Sequence, residues 1–226
     1  MRTLQTSVDN HILTIEMSRV TQKNALNREL QSEIIECWEK FQNNGDLWRA
    51  ILHGRGGVFS IGHDVAELVH EDKEKVPHSI ANQLFPLHID KPIVAAIEGL
   101  CYGLAFELAL SCDLRIASQD ALFGFPDRNL YVSHRVASVL LPRMTSTGVA
   151  LELLLSGKTY DSIQMEALKV INGVVPKGQA LVQATTEATS MIKRFGSVKG
   201  FRKRNILQFS GIPIPASMHI ERGSES

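Results

Sequence analysis

The chain has no excess of charge of either sign: 24 Lys and Arg balance 24 Asp and Glu. That leaves no electrostatic footprint for nucleic acid or for an acidic membrane surface. No apolar run approaches the length of a membrane span. The opening stretch, MRTLQTSVDNHILTIEM, lacks the apolar core of a signal peptide and the arginine richness of a transit peptide. Cysteine is scarce. Cys37, Cys101 and Cys112 are odd in number, show no CxxC spacing and lie in apolar surroundings. They predict buried free thiols in a reducing compartment, and the cytoplasm is the expected location. The eight histidines are scattered without a convincing metal-binding pair, so no metal is expected. HExxH and GxSxG do not occur. SGKT at 156–159 resembles the end of a phosphate-binding loop, but Glu152 stands where that motif needs its first glycine.

What is present is ordinary globular material. With 226 residues and a hydrophobic fraction of 44%, the chain can build a sizeable core. HILTIEM alternates, placing Leu13, Ile15 and Met17 on one strand face. Residues 24–44 read as a helix with Leu26, Leu30, Ile34, Trp38 and Phe41 on one stripe. WRAILHG reads as a strand, and Asp64 caps a helix over VAELVH. Residues 71–90, with the run EDKEK, read as a surface segment. KPIVAAIEG and LRIAS read as strands, the first of them buried. RVASVLLPRM, GVALELLLSG, DSIQMEALKV and QALVQATTEATSMIKRF read as helices, INGVVP as extended chain, and SVKGFRKRNILQF as a last helix. Within that last helix FRKRN, with Lys199 nearby, forms a basic cluster, read as a solvated face, with contact to a phosphate-bearing ligand as the alternative. Strands alternating with helices imply an α/β fold. The expected division is one domain over residues 1–210 and a loosely ordered tail over 211–226.

Two glycine junctions carry more information. Gly62-His63-Asp64 and Gly103-Leu104-Ala105 each follow a strand and open a helix. Amides at a helix start lack intrahelical partners and carry the positive end of the helix dipole. Two of them aimed at one point can hold a developing oxyanion. Glycine turns before helices are common, so spacing alone does not decide the matter. Glu107 sits one helical turn beyond Gly103 in the apolar stretch LAFELALS. A buried carboxylate must be compensated, protonated or used. Asp127 follows Pro126 in LFGFPDRNL. The two carboxylates fit proton handling at an activated acyl group. A buried ion pair for Glu107, and a turn or cap for Asp127, are the structural alternatives.

Taken together, NAL at 24–26, FSIGHD at 59–64, KPIVAAIEGLCYGLAFELALSCDLRIAS at 91–118 and ALFGFPD at 121–127 resemble the crotonase superfamily, the enoyl-CoA hydratase/isomerase family. The resemblance runs over about residues 10–210 and is far more specific for fold than for reaction. It implies an α/β crotonase fold of repeated ββα units with two sheets wrapped by helices, here shortened at the C-terminus. It further implies a homotrimer or hexamer, an acyl-CoA substrate with no permanently bound cofactor, and a setting in fatty acid metabolism. By position, the oxyanion amides are those of His63 and Leu104, where the family usually has glycine at the second. Gln22, Lys23, Ser60 and Ile61 fall on the loops that carry the CoA nucleotide in the family. Glu107 and Asp127 match the two hydratase carboxylates, although the second is usually glutamate. Aspartate reaches ~1 Å less.

Beyond Asp127 the chain departs from the family. A glycine-rich segment that shapes the acyl pocket is replaced by NLYVSHRVASVLL, which brings Tyr131, His134 and Arg135 toward the acyl site. Three readings follow. The first is an enoyl-CoA hydratase, acting on a CoA or carrier-protein thioester. The second is an enoyl-CoA double-bond isomerase in which Asp127 shuttles the proton. The third is a catalytically weak crotonase-fold subunit that binds acyl-CoA or assembles with a partner.

Overall fold

A computed structural model describes residues 2–70, 83–126, 134–196 and Lys203. The first two strands, β1 (Leu4–Asp9) and β2 (Ile12–Met17), form an antiparallel hairpin. Its two-residue turn, Asn10-His11, has positive φ at both positions, which matches the twist of paired strands. After β2 the sheet turns parallel. β3 (Arg49–Gly54), β4 (Ile93–Ile97), β6 (Leu114–Ser118) and β9 (Gly173–Val175) complete six strands in the order β1-β2-β3-β4-β6-β9. A second sheet holds β5 (Leu100–Tyr102), β7 (Leu122–Gly124) and β8 (Thr159–Asp161). The two-sheet α/β architecture expected from the resemblance is present.

Both faces of the large sheet are covered, which is why β4 is buried at all five residues. On one face Ile12, Ile51, Val94, Ala96 and Ile116 meet a stripe of Ala180, Ala184 and Ala188 from the helix Ala180–Phe195. Small residues at i, i+4 and i+8 let that helix lie close to the strands. The other face packs on the main core. There the helix α1 (Arg28–Asn43) buries Leu30, Ile34, Trp38 and Phe41, the stripe its periodicity predicts. It begins later than the periodicity suggests. Asn27 is its N-cap, accepting from the Leu30 amide, and Leu26 instead pairs with His63 in a parallel bridge. Lys91 donates to the Phe41 and Asn44 carbonyls at the opposite end, a cation on the negative pole of the helix.

The reading of 71–90 as surface chain needs correction where the structure describes it. Leu84, Phe85 and Ile89 are core residues, and the Trp38 indole donates to the Leu84 carbonyl. The charged run EDKEK dominated the sequence pattern and masked the apolar residues after it. Residues 71–82, most of SVKGFRKRNILQF and the tail 211–226 lie outside the described residues. Of the basic cluster only Lys203 is described, and its Nζ lies 2.9 Å from Asp113 Oδ1.

Short strands β5, β7 and β8 carry too few residues to show a period, and β1 exposes five of its six. None of the four has a pattern that the sequence could announce.

Asn24 fixes the loop on which one half of the site stands. It is fully buried, sits at φ 55° and makes three hydrogen bonds. Its Oδ1 accepts from the Arg19 amide, and its Nδ2 donates to the Arg55 and Val58 carbonyls. Replacing Asn24 with Ala leaves the Arg55 and Val58 carbonyls and the Arg19 amide without this partner, and places a Cβ-only side chain in a left-handed conformation that asparagine tolerates better. We expect Asn24→Ala to cost about 2–3 kcal/mol, read as a lower urea midpoint with unchanged cooperativity.

Candidate active site

Two loops converge on one point. The loop after β3 runs through Ser60 and Gly62 to His63 and enters α2 (Val65–His70). Asp64 caps that helix as its position predicts, accepting from the Ala66 amide, and also pairs with Arg19 at 2.9 Å. The second loop leaves β5, turns at Gly103 and enters α3 (Leu104–Ser111). Backbone ladders tie the loops together: the Ser60 amide donates to the Leu100 carbonyl and the Tyr102 amide to the Ser60 carbonyl. Gly62 is so close to the second loop that a Cβ there would lie 2.7 Å from the Tyr102 oxygen and 3.3 Å from the Leu104 nitrogen. Gly103 has φ 52° and ψ −124°, a region that side chains forbid. Glycine is required at both junctions for these separate reasons.

Among the described residues, neither the His63 amide nor the Leu104 amide donates to a protein acceptor. The neighbours do: the Asp64 amide bonds the Leu26 carbonyl, and the Glu107 amide bonds the Gly103 carbonyl. Two adjacent backbone donors, one of them at a helix start, are thus left for a ligand. Leu104 in place of glycine does no harm, because its side chain turns into the core.

α3 is buried at all eight residues. Its C-terminal end is met by the Arg115 guanidinium, which donates to the Ala109, Leu110, Cys112 and Val170 carbonyls. Burial lowers the Arg115 pKa, and those carbonyls supply the acceptors that a buried guanidinium needs. Cys101 and Cys112 are buried beside this helix, as the apolar context predicts. Burial raises the Cys101 thiol well above its ordinary value and Cys112 to about 12, so both are inert thiols.

Glu107 is 2% exposed, and its shortest contacts are to backbone amides and not to a cationic side chain. Its Oε1 accepts from the amides of Val136 and Ala137 at 2.8 and 3.0 Å. These belong to the first turn of α4 (Arg135–Met144), whose N-cap residue His134 provides no side-chain cap. Glu107 caps a helix from a distance. One signal for this is in the sequence: RVASVLLPRM is preceded immediately by a histidine and not by a strong capping residue, so an acceptor had to come from elsewhere. Glu98 repeats the device, accepting from the Gly178 and Ala180 amides at the start of the helix Ala180–Phe195.

His134 is brought to the same place. Its Nδ1 lies 3.6 Å from Glu107 Oε2, and its ring packs 4.4 Å from that of Phe125. The His63 side chain completes the group. Burial lowers the His63 pKa, the Glu107 charge opposes that, and His134 adds to it. Arg135, the first residue of α4, is exposed. Asp127 and Tyr131 lie outside the described residues. Of the residues matched to CoA binding, Gln22 and Lys23 are exposed, and Ile61 is half-buried with its amide on the Lys23 carbonyl. Ser60 is fully buried, and its hydroxyl accepts from the Gly62 amide, so it shapes the loop from inside.

The capping role separates two substitutions. Glu107→Gln retains an acceptor for the α4 amides and keeps stability within about 1 kcal/mol, whereas Glu107→Ala orphans them and costs about 2 kcal/mol. Thermal unfolding of the two variants side by side checks this. Burial also lowers the pKa of His53 and of His88. For all three histidines, including His63, the folded pKa lies below an unfolded value of about 6.5. Protons therefore bind the unfolded chain more tightly. Their contribution is complete above about pH 6.5 and is lost as pH falls through the lower folded values. Urea midpoints should fall between pH 7.5 and 5.5, less steeply in His63→Gln than in the parent.

Among the described residues no helix is long and apolar enough to cross a membrane. A family profile described as enoyl-CoA hydratase/isomerase matches residues 7–207. The chain is 30% identical over 194 residues to a mevalonyl-coenzyme A hydratase of Aspergillus fumigatus, covering 80% of this chain and 69% of that one. It is 31% identical over 183 residues to the enoyl-CoA hydratase EchA19 of Mycobacterium tuberculosis, covering 77% and 68%. Among solved structures, an enoyl-CoA hydratase subunit of Geobacillus kaustophilus superposes with a TM-score of 0.85 at 29% identity, over 97% of this chain and 87% of the other. Paired free amides at two loop-to-helix junctions, on a two-sheet α/β frame that superposes so fully, agree with the profile match: the chain belongs to the enoyl-CoA hydratase/isomerase family and has the crotonase fold.

Proposed function

We propose that the protein is an enoyl-CoA hydratase. The observation that carries this reading is the pair of free amides, His63 and Leu104, with a buried carboxylate one helical turn beyond the second. A thioester carbonyl placed between the amides is polarised, and the β-carbon of a conjugated enoyl group becomes electrophilic. Water adds its hydroxyl to the β-carbon. The electrons move toward the carbonyl oxygen, where the two amides stabilise the enolate. A proton then returns to the α-carbon. Glu107 and Asp127 position the water and relay its proton. Gln22 and Lys23 meet the CoA nucleotide, with Ser60 and Ile61 shaping the facing loop. Tyr131, His134 and Arg135 border the acyl group. The protein works in the cytoplasm as a homotrimer or hexamer, on a CoA thioester and with no bound cofactor.

One observation favours a second reading. Glu107 Oε1 is already engaged as the cap of α4, which leaves one oxygen for chemistry. In an isomerase the proton shuttle falls to Asp127, and Glu107 serves mainly to hold α4.

Glu107→Gln and Asp127→Asn should each lower hydration of a 2-enoyl-CoA at least 100-fold, on the scale of a lost acid–base group, with folding retained. The same enzyme assayed for double-bond migration in a 3-enoyl-CoA separates the readings. Fast migration with negligible hydration establishes the isomerase. Near-parental hydration by both variants removes the two-carboxylate mechanism. An absence of both activities, with tight acyl-CoA binding, leaves the binding subunit.

A further inference from the structure

His134, the residue before α4, places an imidazole beside the Glu107 carboxylate. Glu107 has two oxygens with different fates. Oε1 accepts two amides from α4, and an oxygen that accepts two N–H donors is not the one that carries a proton. Oε2 is left over, and it lies 3.6 Å from His134 Nδ1. That nitrogen is shielded from solvent and has no hydrogen-bond partner among the described residues. The histidine side chain is only 14% exposed and the glutamate side chain 3%, so water does not mediate freely between them. Phe125 packs against the imidazole and restricts its tilt. Phe125 is in turn packed on Phe106 of α3, the residue next to Glu107.

A neutral imidazole has a proton on one nitrogen and a lone pair on the other. A bare lone pair at Nδ1 would face a carboxylate lone pair in a site of low polarity, which is repulsive. A proton there turns the same contact into a charge-assisted hydrogen bond. The separation is longer than a hydrogen bond allows. Such contacts tighten when a site is loaded. Among the described residues, the other titratable and charged groups near the imidazole are His63, from the loop before α2, and Arg135, the next residue on its own helix.

We propose that His134 is a positioning residue for Glu107: in its Nδ1–H form it donates to Oε2. The helix amides and this imidazole then hold the carboxylate at both oxygens, and its aim toward the water no longer depends on one torsion. Orientation errors on this scale are expensive in catalysis. The proposal rests on the reading that Glu107 acts on water or substrate.

Two variants separate this role from packing. His134→Phe keeps an aromatic ring against Phe125 and loses the donor. His134→Asn loses the ring and keeps an N–H donor near the Nδ1 position. We expect His134→Phe to lower kcat for 2-enoyl-CoA hydration tenfold or more, a larger change than any in KM. We expect His134→Asn to recover to within threefold of the parental kcat. A parental kcat in His134→Phe, or a loss in His134→Asn as deep as in His134→Phe, overturns the proposal. A second measurement needs no catalysis. Nitrogen-15 spectra of the unsubstituted protein should show His134 protonated at Nδ1, with a signal that shifts in Glu107→Gln. A neutral ring protonated only at Nε2 overturns it. If the protein fails to hydrate any enoyl thioester, the spectra still decide the His134–Glu107 contact, so the two failures are told apart.

Discussion

The site depends on one carboxylate oxygen shared by two helices. Glu107 stands in the first turn of α3, and its Oε1 closes the first turn of α4. Both helix starts carry partial positive charge, so a single anion compensates two of them. That is the compensation a glutamate among leucines requires. It also makes α4 register against α3: if the carboxylate moves, the Val136 and Ala137 amides lose their acceptor in a buried place. The position of this carboxylate and the packing of the neighbouring helix are therefore coupled.

The far end of α3 obeys the same rule with the sign reversed. Arg115 gathers the carbonyls of Ala109, Leu110 and Cys112 at 2.7–3.4 Å, and Lys91 does so for the end of α1. A helix that is apolar all round is easily buried, but its ends are not. Here long side chains from other segments reach in to satisfy them. With a cation at its C-terminus and a carboxylate in its first turn, α3 can be wholly interior. Its first amide remains unpaired because the chain before it is turned aside at Gly103. The proposed oxyanion donor is thus a gap in an otherwise satisfied hydrogen-bond pattern among the described residues.

Much of this frame was legible in the sequence. The stripe of α1, the alternation of β2, the apolar run of β4 and the extent of α4 all follow from local periodicity. The two glycine junctions were legible too, because backbone geometry demanded glycine there whatever the neighbours did. Three-residue strands such as β5 and β7 were not, since they are defined by their partners across the sheet. Residues 84–89 were hidden by the charges before them. The cap from Glu107 to α4 spans 29 and 30 positions, and no local pattern encodes a contact of that range. Asp127 and Tyr131 were read from the sequence and lie outside the described residues, so the second carboxylate rests on the resemblance alone.

By the resemblance, the chain leaves the family pattern in the segment before α4. A glycine-rich entry would present amides and little else. Here His134 stands at the N-cap without capping and turns its ring onto Phe125 and toward the carboxylate that does cap. The helix therefore gives up a local cap, accepts one from Glu107, and leaves the N-cap side chain free for another purpose. Local capping and a functional orientation compete for the same residue, and distant capping is what resolves the conflict. The backbone donors at His63 and Leu104 are set by strand ends and glycines that tolerate little change. His134, by contrast, is held by its contacts with Phe125 and Glu107 and not by any backbone requirement.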